Sequence, residues 1–123
     1  MKNTFTKAER ISIQREINLL FNEGQSFMAY PLRVIYVQKR PYSGANCSVL
    51  ISVPKKRLKQ AVDRNRIKRL IREAYRINKH SFIEHLQEDS GFLIAFVYVG
   101  NGMATCFDIE PAVKKIIETL KKQ

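Results

Sequence analysis

The sequence predicts a single domain that mixes helices with strands, in the order α-β-β-α-β-α. Three observations predict it. The chain has 123 residues, enough to bury one core. Its hydrophobic content of 45% is that of a folded protein rather than a disordered tail. Segments with helical periodicity alternate along it with short runs rich in β-branched and aromatic residues.

Residues from about Thr6 to Glu23 predict the first helix, with Ile13, Ile17, Leu20 and Phe21 at i, i+4, i+7 and i+8 and Gly24 as the stop. "PLRVIYVQK", Pro31 to Lys39, predicts a strand, and "RPYSGAN" is turn chemistry. "CSVLISVP" alternates: Cys47, Val49, Ile51 and Val53 face one way, Ser48, Leu50 and Ser52 the other, and Pro54 ends the strand. A basic helix follows from about Ala61 to Lys79, then "HSFIEHLQED" as a short further helix or turn. "GFLIAFVYVG", Gly91 to Gly100, is a nearly unbroken apolar run between glycines, as in a strand covered on both faces. The last helix spans about Asp108 to Lys121, with Val113, Ile116, Ile117 and Leu120 as its apolar stripe and lysines at its end. There is room for a third short strand around Phe27 or Tyr42. No repeat, low-complexity tract or linker divides the chain, so one domain is expected over residues 1–123.

The charge points to a polyanion. Lys and Arg number 22 against 11 Asp and Glu, a net +11. From Lys55 to Lys79 there are eleven Lys and Arg against two acids, Asp63 and Glu73, so a local +9 carries most of the excess. On a helical wheel Ile67, Leu70, Ile71, Ala74 and Ile77 cluster on one side. Arg64, Asn65, Lys68, Arg69, Arg72, Arg76 and Lys79 take the opposite arc, with Arg66 near the border. A solvated helix face normally mixes signs, because like charges at i, i+4 cost about 0.2–0.5 kcal/mol per pair. Arg64–Lys68–Arg72–Arg76 is a ladder of one sign, which an external anion would justify. Arginine outnumbers lysine in this helix, which favours forked bonding to phosphates. Uncharged Asn65 has two readings: a contact to a ribose, base edge or neighbouring side chain, or a helix-start cap.

Chemistry intrinsic to the chain is not expected. The acids are scattered, with Glu9, Glu16 and Glu23 on the first helix, Glu84, Glu88 and Asp89 near the turn, and Asp108, Glu110 and Glu118 at the end. His80 and His85 are five apart, a poor helical spacing for one metal, and read as surface or packing residues. Cys47 and Cys106 lack metal-like spacing and read as small buried hydrophobes. The N-terminus lacks the apolar stretch of a secretory signal, and no run approaches the ~18 apolar residues of a membrane span, so a soluble, cytoplasmic protein is expected.

At "RNRIKRLIREAYR" the sequence resembles the protein subunit of bacterial ribonuclease P. The resemblance rests on Arg64-Asn65-Arg66 opening a basic helix, preceded by a strand ending Ser52-Val53 and by paired Lys55-Lys56. It extends to "LFNEGQS" and "VIYV" and covers roughly Phe5 to Leu120. It implies an α+β fold, a two-layer α/β sandwich of the ribosomal protein S5 domain 2 type. The implied sheet is mixed, with a left-handed βαβ crossover, an exception to the right-handed rule, and three to four helices. It also implies a division of labour in which a large RNA with bound Mg²⁺ is the catalyst. The protein then binds that RNA and the 5′ leader of precursor tRNA, with no membrane and no protein partner required. The RNA-facing positions would be Arg64, Asn65, Arg66, Lys68, Arg69, Arg72 and Arg76, with Lys55 and Lys56. Phe21 and Tyr36 match aromatic positions of a leader cleft between the first helix and the sheet; a third such position is Ile17 here. For Phe21 and Tyr36 core packing is the competing reading. The segment "KKRLKQAVDRNR" has one residue more than the family pattern and lacks a common glycine. Two other functions fit the residues: a structural, ribosome-associated RNA-binding protein on the same fold, and a metal-dependent protein nuclease.

Overall fold

The computed structural model describes residues 14–39, 47–85 and 91–122. Among them are three helices and four strands: α1 (Gln14–Glu23), β1 (Gln25–Ala29), β2 (Leu32–Val37), β3 (Cys47–Ser52), α2 (Ala61–His85), β4 (Phe92–Tyr98) and α3 (Cys106–Lys121). The short strand expected around Phe27 is β1. The N-terminal part of the first expected helix with Glu9 and Ile13, the "RPYSGAN" turn, Tyr42, the His85 side chain, Glu88 and Asp89 lie outside the described residues.

The sheet order is β1-β2-β4-β3. β1, β2 and β4 are antiparallel neighbours, and β3 runs parallel to β4 on the far edge. The sheet is therefore mixed, and β3-α2-β4 is its one βαβ unit. A two-residue turn at Tyr30-Pro31, with a cis peptide bond, joins β1 to β2.

The pleat of each strand sorts side chains between two cores. Leu32, Val34, Tyr36, Cys47, Val49, Phe92, Ile94, Phe96 and Tyr98 pack with Ile67, Ile71, Ala74, Tyr75 and Phe82 of α2 and with the stripe of α3. Rings interlock across this layer, Tyr75 with Phe96 at 6.0 Å and Phe82 with Phe92 at 5.3 Å. The opposite face gathers Leu93 and Ala95 of β4, Ile35 and Val37 of β2 and Leu50 of β3 beneath Ile17, Leu19 and Leu20 of α1. β4 is buried on both faces because α2 and α3 cover one and α1 the other, as its apolar run implies.

Three expectations about the helices are corrected. The basic helix does not stop at Lys79 but continues without a break to His85, through the segment expected as a short further helix or turn, because no Gly or Pro interrupts it and Phe82 extends its buried stripe. Ile77, placed on the apolar face, is 51% exposed, since the stripe centres on Ile67, Ile71, Ala74 and Tyr75 and passes Ile77 by. Lys79, placed on the solvated arc, is buried, because it ends the i, i+4 row Ile67–Ile71–Tyr75. Of the cysteines Cys47 is buried as expected; Cys106 is exposed, because it starts α3 ahead of that helix's apolar stripe. Gly24 ends α1 with its N–H donating to the Leu20 carbonyl at 2.9 Å. A Cβ there would lie 2.3 Å from that oxygen and 2.7 Å from Cγ2 of Ile35, so the glycine is required by close approach of helix and sheet.

Candidate nucleic-acid interface

The topology gathers the basic elements at one end of the sheet. Parallel β3 and β4 finish there, and β2 starts there, with Leu32 opposite Tyr98. The loop carrying Lys55, Lys56, Arg57 and Lys59 leaves this end and leads into the first turns of α2. Lys55, Lys56, Lys59, Asn65, Arg66 and Arg69 are exposed, while Lys68, Arg72 and Arg76 are half-buried.

The ladder Arg64–Lys68–Arg72–Arg76 is not one flat face. Each i, i+4 step advances about 40° round the helix, so the row starts beside the core and winds outward. Arg64 is accordingly half-buried and turned back: its Nη1 donates to the carbonyls of Leu58 at 2.9 Å and Lys59 at 2.8 Å. Those bonds satisfy loop acceptors that precede the helix and leave Arg64 partly committed to the fold. Arg76 pairs with Glu73 at 2.9 Å, a surface pair of the kind that contributes about 0–1 kcal/mol. The outward face is thus drawn by Asn65, Arg66 and Arg69, with Lys68 and Arg72 on its flank.

Asn65 does not cap the helix. α2 begins at Ala61, with Arg64 N–H already donating to the Gln60 carbonyl at 3.1 Å, so Asn65 lies inside the helix. Its side chain is exposed and free to meet a partner. Arg57, which local patterns did not single out, donates through Nη1 to Oδ1 of Asn101 at 3.0 Å and ties the basic loop to the segment after β4. No sequence signal marks a pair so far apart in the chain; the parallel pairing of β3 and β4 creates it.

The aromatic positions lie at the other end. Five strand steps separate Leu32 from Val37, about 17 Å. Phe21 is 54% exposed near the end of α1, because the buried centre of that helix falls on Glu16 and Leu20. Ile17 packs half-buried against the α1 face of the sheet. The ring of Tyr36 lies on the opposite face, between Phe27 at 5.9 Å and Phe92 at 6.1 Å, with its hydroxyl donating to Oε1 of Gln25 at 3.0 Å. Phe21 and Tyr36 thus do not form one stacking platform: the strand pleat sends Tyr36 into the core with Leu32 and Val34. A depression of about 250 Å³ opens at this end, lined by Glu23, Gln25, Tyr36, Val37 and Gln38. The described residues contain no group of three or more His, Cys, Asp or Glu placed to hold a metal ion, and no helix among them is long and apolar enough to cross a membrane.

A family model for ribonuclease P matches residues 5–121. The chain belongs to the ribonuclease P protein family. A ribonuclease P protein component of Porphyromonas gingivalis is 45% identical over 111 residues, covering 89% of this chain and 81% of that protein. One from Chlorobaculum tepidum is 36% identical over 104 residues, covering 78% and 68%. The fold matches the ribonuclease P protein of Staphylococcus aureus with a TM-score of 0.72 at 24% identity, covering 94% of this chain and 97% of that one. The same protein from Thermotoga maritima matches at a TM-score of 0.62, also at 24% identity and with the same coverage. Within a ribonuclease P protein, the Arg64-Asn65-Arg66 signature divides in two: Asn65 and Arg66 face outward, and Arg64 turns back to hold the loop.

Proposed function

We propose that this chain is the protein component of a cytoplasmic ribonuclease P and assists removal of the 5′ leader from precursor tRNA. The observation that carries the reading is the concentration of exposed Lys55, Lys56, Lys59, Arg66 and Arg69 at one end of the sheet, around solvent-facing Asn65. Such a surface neutralises phosphates with few acids to oppose them, and its arginines offer forked donors that match phosphate geometry. In this reading the catalytic RNA docks on the basic end, with Lys68, Arg72 and Arg76 along the flank. That RNA, with its bound Mg²⁺, would supply the cleavage chemistry. The protein binds, screens and positions.

The leader belongs to the opposite end of the sheet. Exposed Phe21 supplies a face on which a base of any identity can stack, with Ile17 packed behind it. Tyr36 contributes a hydroxyl edge beside Gln25 and holds the rim of the depression from beneath. Two surfaces at opposite ends of one sheet let the protein touch the catalyst and its substrate at once.

The test is reconstitution. Adding the protein to its cognate RNA subunit at low Mg²⁺ should accelerate cleavage of precursor tRNA at the 5′ end of the mature sequence. An unchanged rate, with ribosomal RNA as the species that co-purifies from cells, would overturn the reading in favour of a structural RNA-binding role.

A further inference from the structure

The basic end of the sheet also carries an apolar cluster that the phosphate-binding surface does not use. Tyr30 is 69% exposed, Met103 46% and Phe107 84%. Burial would stabilise each of them, and the fold leaves all three exposed to water. A cavity of about 200 Å³ opens there, lined by Tyr30, Pro31, Tyr98, Asn101, Met103 and Asp108 among others. It is smaller than the ~300–1,000 Å³ of a pocket for a whole ligand, and suits one planar ring.

Its polar groups are already oriented. Asp108 accepts the Thr105 N–H on Oδ2 at 2.9 Å, which fixes the carboxylate at the start of α3. Asn101 accepts from Arg57 on Oδ1 at 3.0 Å, so its amide NH₂ is left to donate. Tyr98 is folded back, its hydroxyl bonded to the Gly102 carbonyl, and Gly102 reaches that position with a φ of 87° that favours glycine. Burial pushes the Tyr98 hydroxyl above its ordinary range, helped by Tyr30 and Asp108, which keeps it a neutral wall of the cavity. Arg57 joins this site to the loop that carries exposed Lys55, Lys56 and Lys59.

We propose that this cavity is a base pocket: it receives one unpaired guanine of the partner RNA, stacked against Tyr30 with Met103 at its edge. Oδ2 of Asp108 already accepts the Thr105 N–H and the Thr105 hydroxyl, so a guanine offers its ring N–H and exocyclic amine to the remaining Oδ1, and its carbonyl oxygen to the Asn101 amide. Uracil has a single ring N–H and no amine, so it satisfies the carboxylate poorly. The proposal rests on the reading of the chain as an RNA-binding ribonuclease P protein, and it adds a base-reading contact to a surface otherwise made for phosphates.

The experiment is an anisotropy titration of the full chain with a labelled uridine heptamer, the same heptamer with one central guanosine, and one with inosine there, which lacks the amine. The guanosine oligomer should bind roughly tenfold more tightly than the all-uridine one, within the range of one stacked and bonded base, with inosine between. Tyr30→Ala and Asp108→Asn should remove that difference while weakening the all-uridine oligomer little. Met103→Ala, at an exposed position ahead of α3, should reduce the preference with little effect on the fold. Equal affinities for the three oligomers, or a guanosine preference that survives Tyr30→Ala and Met103→Ala, would overturn the pocket. Reconstituted cleavage measured on the same preparation separates the two failures. A protein that stimulates cleavage but ignores guanosine refutes the pocket alone, and one that does neither refutes both.

Discussion

Arg64 donates through one guanidinium nitrogen to the backbone carbonyl of Leu58 at 2.9 Å, and reaches Lys59 as well. The first arginine of the basic signature is therefore a brace for the loop that carries Lys55, Lys56 and Arg57. Arg64→Ala should lower stability by about 1–2 kcal/mol, as two loop acceptors lose a charged donor, and should also weaken RNA binding. Arg64→Lys should restore less than charge alone implies, since the shorter lysine stem does not carry its ammonium to the place of Nη1 between the two carbonyls. Chemical denaturation beside RNA titration would check this; unchanged stability in Arg64→Ala would refute the bracing role.

Arg66 and Arg69 face outward with no such duty. Arg66→Ala and Arg69→Ala should leave the melting temperature within a degree or two of the wild type. Each should reduce the slope of log affinity against log salt for the RNA subunit by about one unit. A slope that did not move would place the RNA elsewhere on the protein.

Phe21 and Tyr36 should separate cleanly. Phe21→Ala removes an exposed ring and should cost little stability, yet weaken precursor tRNA relative to leaderless tRNA by about 1–3 kcal/mol if a base stacks there. Tyr36→Ala empties a packed site between Phe27 and Phe92 and should cost about 3–5 kcal/mol of stability, as for other large aromatic truncations. Tyr36→Phe tests the hydroxyl alone. Equal loss of leader discrimination in Phe21→Ala and Tyr36→Phe would show that the depression, rather than the Phe21 ring, holds the leader.

Gly24 has no room for a methyl group, and the nearest obstacle is the Leu20 backbone carbonyl. Gly24→Ala should destabilise the protein by about 1–3 kcal/mol through overpacking and shift α1 against the sheet. Thermal melts check the first effect, and loss of Phe21-dependent leader binding the second.

With a local +9 between residues 55 and 79, the free protein should gain stability from multivalent anions. Melting temperature should rise with sulfate or phosphate more than with chloride at equal ionic strength. Arg66→Ala and Arg69→Ala combined should blunt that rise.

Much of the fold was legible in the chain because its signals are local. The apolar run of β4, the alternation of β3 and the stripe of α3 each follow from a period that neighbouring residues set. The basic character of α2 and its signature are equally local, and they point to RNA without any tertiary contact. The end of α2 was missed because continuation past Lys79 depends on Phe82 finding Phe92 across the core. Ile77 and Lys79 were exchanged between faces because a wheel cannot say where on a wide apolar arc the neighbouring helix and sheet will sit.

What the sequence determined by itself was the set of elements, the family and the excess of positive charge, all properties of residues close together in the chain. What only the tertiary structure decided was which of those residues share a surface. Parallel pairing of β3 with β4 brings Arg57 to Asn101, and the pairing of β2 with β4 sets Tyr30 at the same cavity as Asn101 and Met103. The pleat of β2 turns Tyr36 inward, while the buried face of α1, centred on Glu16 and Leu20, leaves Phe21 out. These outcomes depend on strand order and register, which are settled by the total burial of both sheet faces and so cannot be read from any single segment.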